Sequence, residues 1–253
     1  MMNDPHIVSL LYRVCHNESV DYSEAKPLVL DQPSFRVEVK DRKARFELKQ
    51  HYATEEEARK LVDPFVRNWE FDASLRQVPG FFRLEFDRVE IVDRKPTKGI
   101  VDVSISVRTG SPTASVKATV QPQTYPTPSG IDSSHPDVQT LYQRYESFCQ
   151  GKEPLTTFAY FCLTMVEHSV GPGNGLRRKA ANVYGIEMSV LSKIARLSST
   201  KGGSEARKAL GTNTPLTQDE CRFLKRSVVR LILRVAEHRS GIGGLPKISI
   251  KDI

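Results

Sequence analysis

The sequence predicts an α+β protein: an N-terminal antiparallel sheet with one covering helix, followed by a C-terminal all-α helical bundle. Apolar residues recur at every second position in the first half and every three or four residues in the second. The charge divides at the same place, because residues 1–130 are neutral whereas residues 131–253 hold 18 Lys and Arg against 11 Asp and Glu. The expected domains are an α+β sheet domain over 1–121, a Pro-rich linker over 122–133, a basic helical bundle over 134–240 and a C-terminal tail over 241–253.

Alternating residues predict the first strands. Residues 6–14 are rich in β-branched and aromatic side chains, which is typical of a strand. Residues 35–40 and 45–49 each alternate apolar with charged residues, and the polar segment 41–43 between them predicts a hairpin with one dry and one charged face. Because acidic and basic residues mix on the charged face, we expect cross-strand ion pairs and solvent there, not a binding surface.

A helix over 54–70 follows the hairpin. Its start is a capping box, in which the Thr54 hydroxyl accepts a hydrogen bond from the third amide of the helix and Glu57 reaches back. Apolar residues continue at helical spacing to Trp69, and Pro64 predicts a kink or the last regular turn. We expect this helix to cover one face of the sheet.

In the next predicted strand, the apolar residues change from even-numbered to odd-numbered positions. Apolar residues occupy even positions over 82–86 and odd positions over 89–91. One extra residue at Asp87–Arg88, a β-bulge, would keep both groups on the buried face. Further strands are predicted over 101–107 and 116–120.

Start and stop signals divide the second half into helices. The first four run from a cap at Ser134 to Gly151, from about Thr156 to the glycine-rich loop at 171–175, over Leu176–Tyr184, and from about Ser189 to Leu197. The last helix has the clearest start signal of the chain, a capping box over Thr217–Glu220.

The last helix carries a row of arginines. Four arginines at four-residue steps, from Arg222 to Arg234, cross the flank opposite to its apolar residues. Like charges at that spacing repel by about 0.2–0.5 kcal/mol per pair, so either acidic partners or an anionic ligand must accompany them. Because the bundle has fewer acids than bases, its acids cannot pair with all of its bases, and some basic surface must remain. The candidate nucleic-acid-binding residues are Arg177, Arg178, Lys179, Arg207, Lys208, Arg222, Arg226, Arg230 and Arg234.

The sequence contains no motif that fixes a reaction. There is no HExxH, GxSxG or P-loop, and the loop at 171–175 lacks the preceding strand and the following Lys that a phosphate loop requires. The four cysteines are far apart, without CxxC spacing or nearby histidines, which argues against disulfides and a metal site. We therefore expect no catalytic residue, no cofactor and no metal. The chain shows no secretory pattern and no apolar run that could span a bilayer, so a cytoplasmic protein without a membrane partner is expected.

The order of elements over 134–239 resembles the HEPN-type helical domains of bacterial antiviral and toxin proteins: helices, an arginine-bearing segment, a polar turn and a long last helix. Active members of that family share an Arg-x4–6-His motif that acts on an RNA backbone. The resemblance makes Arg207 the arginine, but residues 212–214 contain no histidine. Arg45 and His51 match the spacing, yet they belong to the other half. The resemblance therefore implies a degenerate, non-cleaving domain that binds RNA or a partner.

The expected function is that of a non-enzymatic protein whose basic helical domain binds a nucleic-acid backbone, RNA or DNA, with bacterial or phage defence as the setting. Tyr184 and Phe223 supply too few aromatic rings in the basic stretch to stack single-stranded bases. Two alternatives stay open. One is an interaction adaptor or oligomeric scaffold, including a homo-oligomer, that binds an acidic protein, and the other is an HEPN-like ribonuclease.

Overall fold

The computed structural model describes residues 4–15, 20–76, 82–95, 121–201 and 214–253. The chain forms two compact units, Met1–Gly130 and Ile131–Ile253. In the described residues, the first unit contains an antiparallel sheet and one long helix, and the second is built from helices, which confirms the α+β class. The strands predicted over 101–107 and 116–120 lie outside the described residues. None of the described helices is long and apolar enough to cross a membrane.

The sheet of the first unit has five strands among the described residues. They are β1 (Pro5–Cys15), β2 (Leu28–Asp31), β3 (Phe35–Lys40), β4 (Lys43–Leu48) and β5 (Arg83–Asp93). All neighbouring pairs are antiparallel, in the order β2-β3-β4-β1-β5. The predicted β3–β4 hairpin is confirmed, and Asp41 and Arg42 adopt φ values of 51° and 59°, as a tight two-residue turn requires. The sequence analysis does not predict β2, whose four residues are too few to show a clear period.

The predicted bulge in β5 is confirmed. The register between β1 and β5 shifts at Leu11–Tyr12, which leaves Asp87 as the extra residue on β5. Leu84 before the bulge and Val89 after it are both buried, as the change of parity requires. A second shift lies between Ile7 and Ser9 of β1, near the end of the sheet where β1 begins.

Helix α1 (Glu55–Arg76) covers one face of the sheet. Its Trp69 ring is fully buried, and its Asp63 carboxylate accepts a hydrogen bond from the Tyr12 hydroxyl of β1 at 2.9 Å. Pro64 does not end the helix, which continues past the predicted limit at residue 70 because apolar residues beyond Trp69 remain buried.

Residues 121–130 pack on the core of the first unit. The Tyr125 ring is 2% exposed and stacks on the Tyr22 ring, with the ring centroids 5.2 Å apart. The Tyr125 hydroxyl accepts a hydrogen bond from the Arg42 backbone N–H at 3.0 Å. This segment is therefore held by both apolar and polar contacts.

A second contact anchors the same segment to the first unit. The Trp69 indole N–H donates a hydrogen bond to the Pro126 carbonyl at 2.9 Å. The boundary between the two units, after Gly130, lies within the predicted linker over 122–133, but the first part of that range is packed instead of extended and free. The difference arises because composition shows the prolines of this segment and does not show that Tyr125 is buried.

The second unit has five α-helices among the described residues. They are α2 (Pro136–Cys149), α3 (Leu155–His168), α4 (Leu176–Val183), α5 (Met188–Thr200) and α6 (Gln218–Arg239). Helix α3 packs against the other four and forms the centre of the core. The capping box of α6 is confirmed, since the Glu220 N–H donates to Thr217 Oγ1 at 3.2 Å and the Thr217 N–H donates to the Glu220 carboxylate at 3.0 Å. The cap of α2 is His135 instead of the predicted Ser134, because the His135 ring accepts from the Asp137 N–H.

The residues after α6 fold back on the bundle. Ile248 is buried, donates a backbone hydrogen bond to the Gly185 carbonyl and accepts one from the Glu187 N–H, both at 2.9 Å. A 3₁₀ turn over Ile250–Asp252 follows. The tail predicted over 241–253 is thus a packed part of the second unit.

Replacing Tyr125 with Ala should destabilise the first unit by about 3 kcal/mol or more, because truncation of a buried aromatic side chain leaves a cavity. Trp69, the single tryptophan of the chain, lies in the same core, so its fluorescence during urea unfolding measures the stability of this unit. Thr127→Ala at an exposed neighbouring position is the matched control and should change the stability by less than about 0.5 kcal/mol. Equal midpoints for Y125A and the unmodified protein would contradict the packing of residues 121–130.

Candidate nucleic-acid interface

The exposed side of α6 carries four cations between Arg222 and Arg230. Arg222, Arg226 and Arg230 are exposed, and so is Lys225, which the sequence analysis does not include. At about 100° per residue these positions lie within an arc of about 140°, so the four side chains share one side of the helix. The prediction considers only arginines at four-residue spacing and therefore omits Lys225, although a helical wheel places Lys225 on the same side of the helix. We call Arg222, Lys225, Arg226 and Arg230 the cationic face.

The contacts of the cationic face with described residues are few and lie at the surface. Arg222 pairs with Asp219 at 3.0 Å, and the side chains are 57% and 87% exposed, so the pair contributes at most about 1 kcal/mol. Arg226 donates a hydrogen bond to the Ile253 backbone oxygen at 2.9 Å. Polyanion oxygens could replace both acceptors at small cost, because neither is buried.

Arg230 lies near the 3₁₀ turn that follows the bundle. Hydrogen bonds from the Ser249 backbone and side chain lower the pKa of Asp252, and the charge of Arg230 adds to the lowering. Asp252 is therefore ionised at neutral pH and offsets part of the charge of the cationic face. Its carboxylate bonds directly to Ser249 and leaves the Arg230 guanidinium exposed.

The structure corrects the assignment of Arg234. Its guanidinium is buried, at 7% exposure, and donates hydrogen bonds to the Tyr184 and Pro246 carbonyls, both at 2.8 Å. It also pairs with Glu237 at 3.2 Å. Each four-residue step turns by about 40°, so Arg234 is rotated by about 120° from Arg222 and faces the turn after α4. Arg234 is a structural residue that a phosphate cannot reach.

Gly185 accommodates the buried guanidinium. It follows α4 with a φ of 58°, a left-handed conformation that L side chains rarely adopt. A Cβ atom at this position would lie 3.1 Å from Arg234 Nη1. Both the backbone conformation and the close approach of Arg234 therefore favour glycine here, because a Cβ atom would push the guanidinium away by a few tenths of an ångström.

The structure does not place the basic start of α4 on the cationic face. Arg177 pairs with Glu167 at the end of α3, at 2.6 Å, and Lys179 donates to the Pro172 carbonyl at 3.3 Å, while Arg178 is exposed. The far end of α4 contacts Arg234, which lies about 18 Å along α6 from Arg222. The α4 cations thus form a second group, and Arg207 and Lys208 lie outside the described residues.

The Arg–His pair that matches the HEPN spacing takes different partners. Arg45 of β4 pairs with Glu90 of β5 at 2.8 Å, and it also pairs with Glu47 of its own strand, so neither pair joins the two strands of the predicted hairpin. The His51 ring instead contacts His6. The two residues therefore do not form a joint site with each other.

Three of the four cysteines are poor nucleophiles at neutral pH. Burial raises the pKa of the Cys15 thiol to about 11, and burial also raises the pKa values of Cys149 and Cys162. Thiols protonated at neutral pH neither attack substrates nor bind metals readily. In the described ranges, no group of three or more His, Cys, Asp or Glu side chains is placed to hold a metal ion.

Comparison with known proteins gives no family assignment. The chain matches no protein-family model, no curated protein and no solved structure. The resemblance to HEPN-type domains therefore stays a prediction, and the functional argument depends on the geometry of the cationic face.

Arg234→Ala should destabilise the second unit by about 3 kcal/mol, because it leaves the Tyr184 and Pro246 carbonyls without their donor inside the fold. Arg230→Ala removes an equal charge from an exposed position and should cost less than about 0.5 kcal/mol. Far-UV circular dichroism during urea unfolding measures both changes, since the second unit is helical. Equal decreases in the free energy of unfolding of R234A and R230A would show that the buried contacts of Arg234 do not stabilise the second unit.

Proposed function

We propose that this protein binds a nucleic-acid backbone through the cationic face of α6 and carries out no catalysis there. The observation that carries the proposal is the exposure of four cations on three successive turns of one helix, with only surface contacts to acidic groups among the described residues. Guanidinium groups bind phosphate through two parallel hydrogen bonds, so arginine is the residue type that such a backbone favours.

The spacing of the arginines suits a phosphate strand. Arg222, Arg226 and Arg230 follow one another at about 6 Å along the helix axis. Phosphates of one strand follow at about 3.4 Å along a duplex axis and also wind around it, so neighbouring phosphates are about 6–7 Å apart through space. Successive arginines can therefore contact neighbouring phosphates of one strand.

The aromatic residues of the basic stretch favour backbone binding over base stacking. Phe223 and Tyr184 are both buried, so neither ring can stack on an unpaired base. Contacts to phosphate alone fix the position of a duplex and carry no sequence information. We therefore propose binding without sequence preference, and with a strong dependence on salt.

Arg222→Gln, Arg226→Gln and Arg230→Gln combined should weaken binding to a labelled mixed-sequence duplex about tenfold or more at low salt. The slope of log affinity against log salt should become shallower by about 3, because each phosphate contact contributes about 0.9 to that slope. Fluorescence anisotropy at a series of salt concentrations, with DNA and RNA duplexes in parallel, measures both quantities.

The matched control removes three exposed charges from the first unit: Arg36→Gln, Lys40→Gln and Lys43→Gln. This variant has the same net charge as the α6 variant and should keep the affinity and salt slope of the unmodified protein. An equal loss of affinity in both variants would show that binding depends on the net charge of the protein and not on the cationic face. The absence of binding at low salt in the unmodified protein would overturn the proposal.

A further inference from the structure

Two histidines far apart in sequence face each other at one end of the sheet in the first unit. His6 lies near the start of β1, and His51 follows β4. The Ile7 N–H donates to the Tyr52 carbonyl at 2.9 Å, and this backbone bond places the two imidazoles side by side. Their Nδ1 atoms are 3.1 Å apart, and their ring centroids are 5.1 Å apart.

That separation is the one that a chelated transition-metal ion imposes. With metal–nitrogen bonds of about 2.0–2.1 Å, two ligand nitrogens are about 2.9 Å apart at a right angle and about 3.4 Å apart at the tetrahedral angle. The observed 3.1 Å lies between these limits. An N–H···N hydrogen bond between the rings also fits this distance, and the two arrangements can be separated by experiment.

We propose that His6 and His51 bind a divalent transition-metal ion, of the zinc, nickel or copper class, through their Nδ1 atoms. Imidazole nitrogen is a preferred ligand of these ions. A two-histidine chelate leaves the other coordination positions to water, and the His51 side chain is 40% exposed, so an ion can reach the pair from solvent.

We include Asp4 in the proposal as a positioning residue for the pair. Its Oδ1 lies 4.0 Å from His51 Nε2, which is close enough for an ionic contact but longer than a hydrogen bond. The Arg94 guanidinium holds this carboxylate at 3.2 Å, and the Asp4 N–H donates to Asp93 at 3.0 Å. A carboxylate behind a histidine ligand fixes the ring and strengthens the ligand, which is a common arrangement at metal sites.

Four charged residues lie around the histidine pair. Arg94 and Lys95 bring positive charge close to the pair, and Asp4 and Asp93 balance it. The ion therefore meets no net local repulsion from these four groups.

Calorimetric titration of the full chain with Zn²⁺ tests the proposal. We expect one ion per chain, and we expect His6→Gln or His51→Gln to weaken binding more than tenfold. Asp4→Asn should weaken it about tenfold through the His51 ring. His168→Gln, at an exposed histidine of the second unit, is the matched control and should leave the affinity unchanged.

Imidazole ¹⁵N spectra separate ligation from a structural effect. On addition of Zn²⁺ the Nδ1 resonances of both His6 and His51 should shift, and those of His168 should not. Trp69 fluorescence checks that each variant still folds its first unit. Unchanged Zn²⁺ affinity in folded H6Q and H51Q, or no saturable binding by the unmodified protein, would overturn the proposal and leave an N–H···N hydrogen bond between the rings.

Discussion

An almost fully buried guanidinium group holds the second unit together where three chain segments meet. Arg234 of α6 donates to a carbonyl at the end of α4 and to the Pro246 carbonyl in the segment after α6, and Glu237 balances its charge. A buried cation is tolerated only when its donors are bonded, and the end of a helix offers carbonyls that lack a partner. The path of the chain after α6, and with it the place of the 3₁₀ turn, depends on this side chain together with the backbone hydrogen bonds of Ile248.

The same burial separates two kinds of arginine on one helix. The arginines of the cationic face point to solvent and can exchange weak surface contacts for phosphate, whereas Arg234 is buried and bonded within the fold. The cationic face is therefore shorter than the arginine row suggests, and it covers three helical turns. Because its neighbouring aromatic ring, Phe223, belongs to the core, the chemistry of the face is that of charge and hydrogen bonding.

Local patterns in the sequence predict the local structure well. The β3–β4 hairpin, the bulge at Asp87 and the capping box of α6 each depend on residues within a few positions of one another, so alternation, parity and spacing suffice to predict them. Three of the features that the sequence does not predict depend on distant contacts. Tyr125 packs on Tyr22, Arg234 reaches the turn after α4, and His6 meets His51 across 45 residues. No pattern in one sequence reveals such pairs, because the fold alone brings them together.

The 3₁₀ turn has a practical consequence for anyone who modifies this chain. Ile253, the residue that follows the turn, accepts a hydrogen bond from Arg226. Ile248, before the turn, connects this segment to the bundle through its backbone hydrogen bonds. Any polypeptide fused after residue 253 therefore begins next to the guanidinium groups of α6. An acidic reporter at that junction would shield them, and a polyhistidine handle would add imidazoles that compete for zinc with the pair in the first unit.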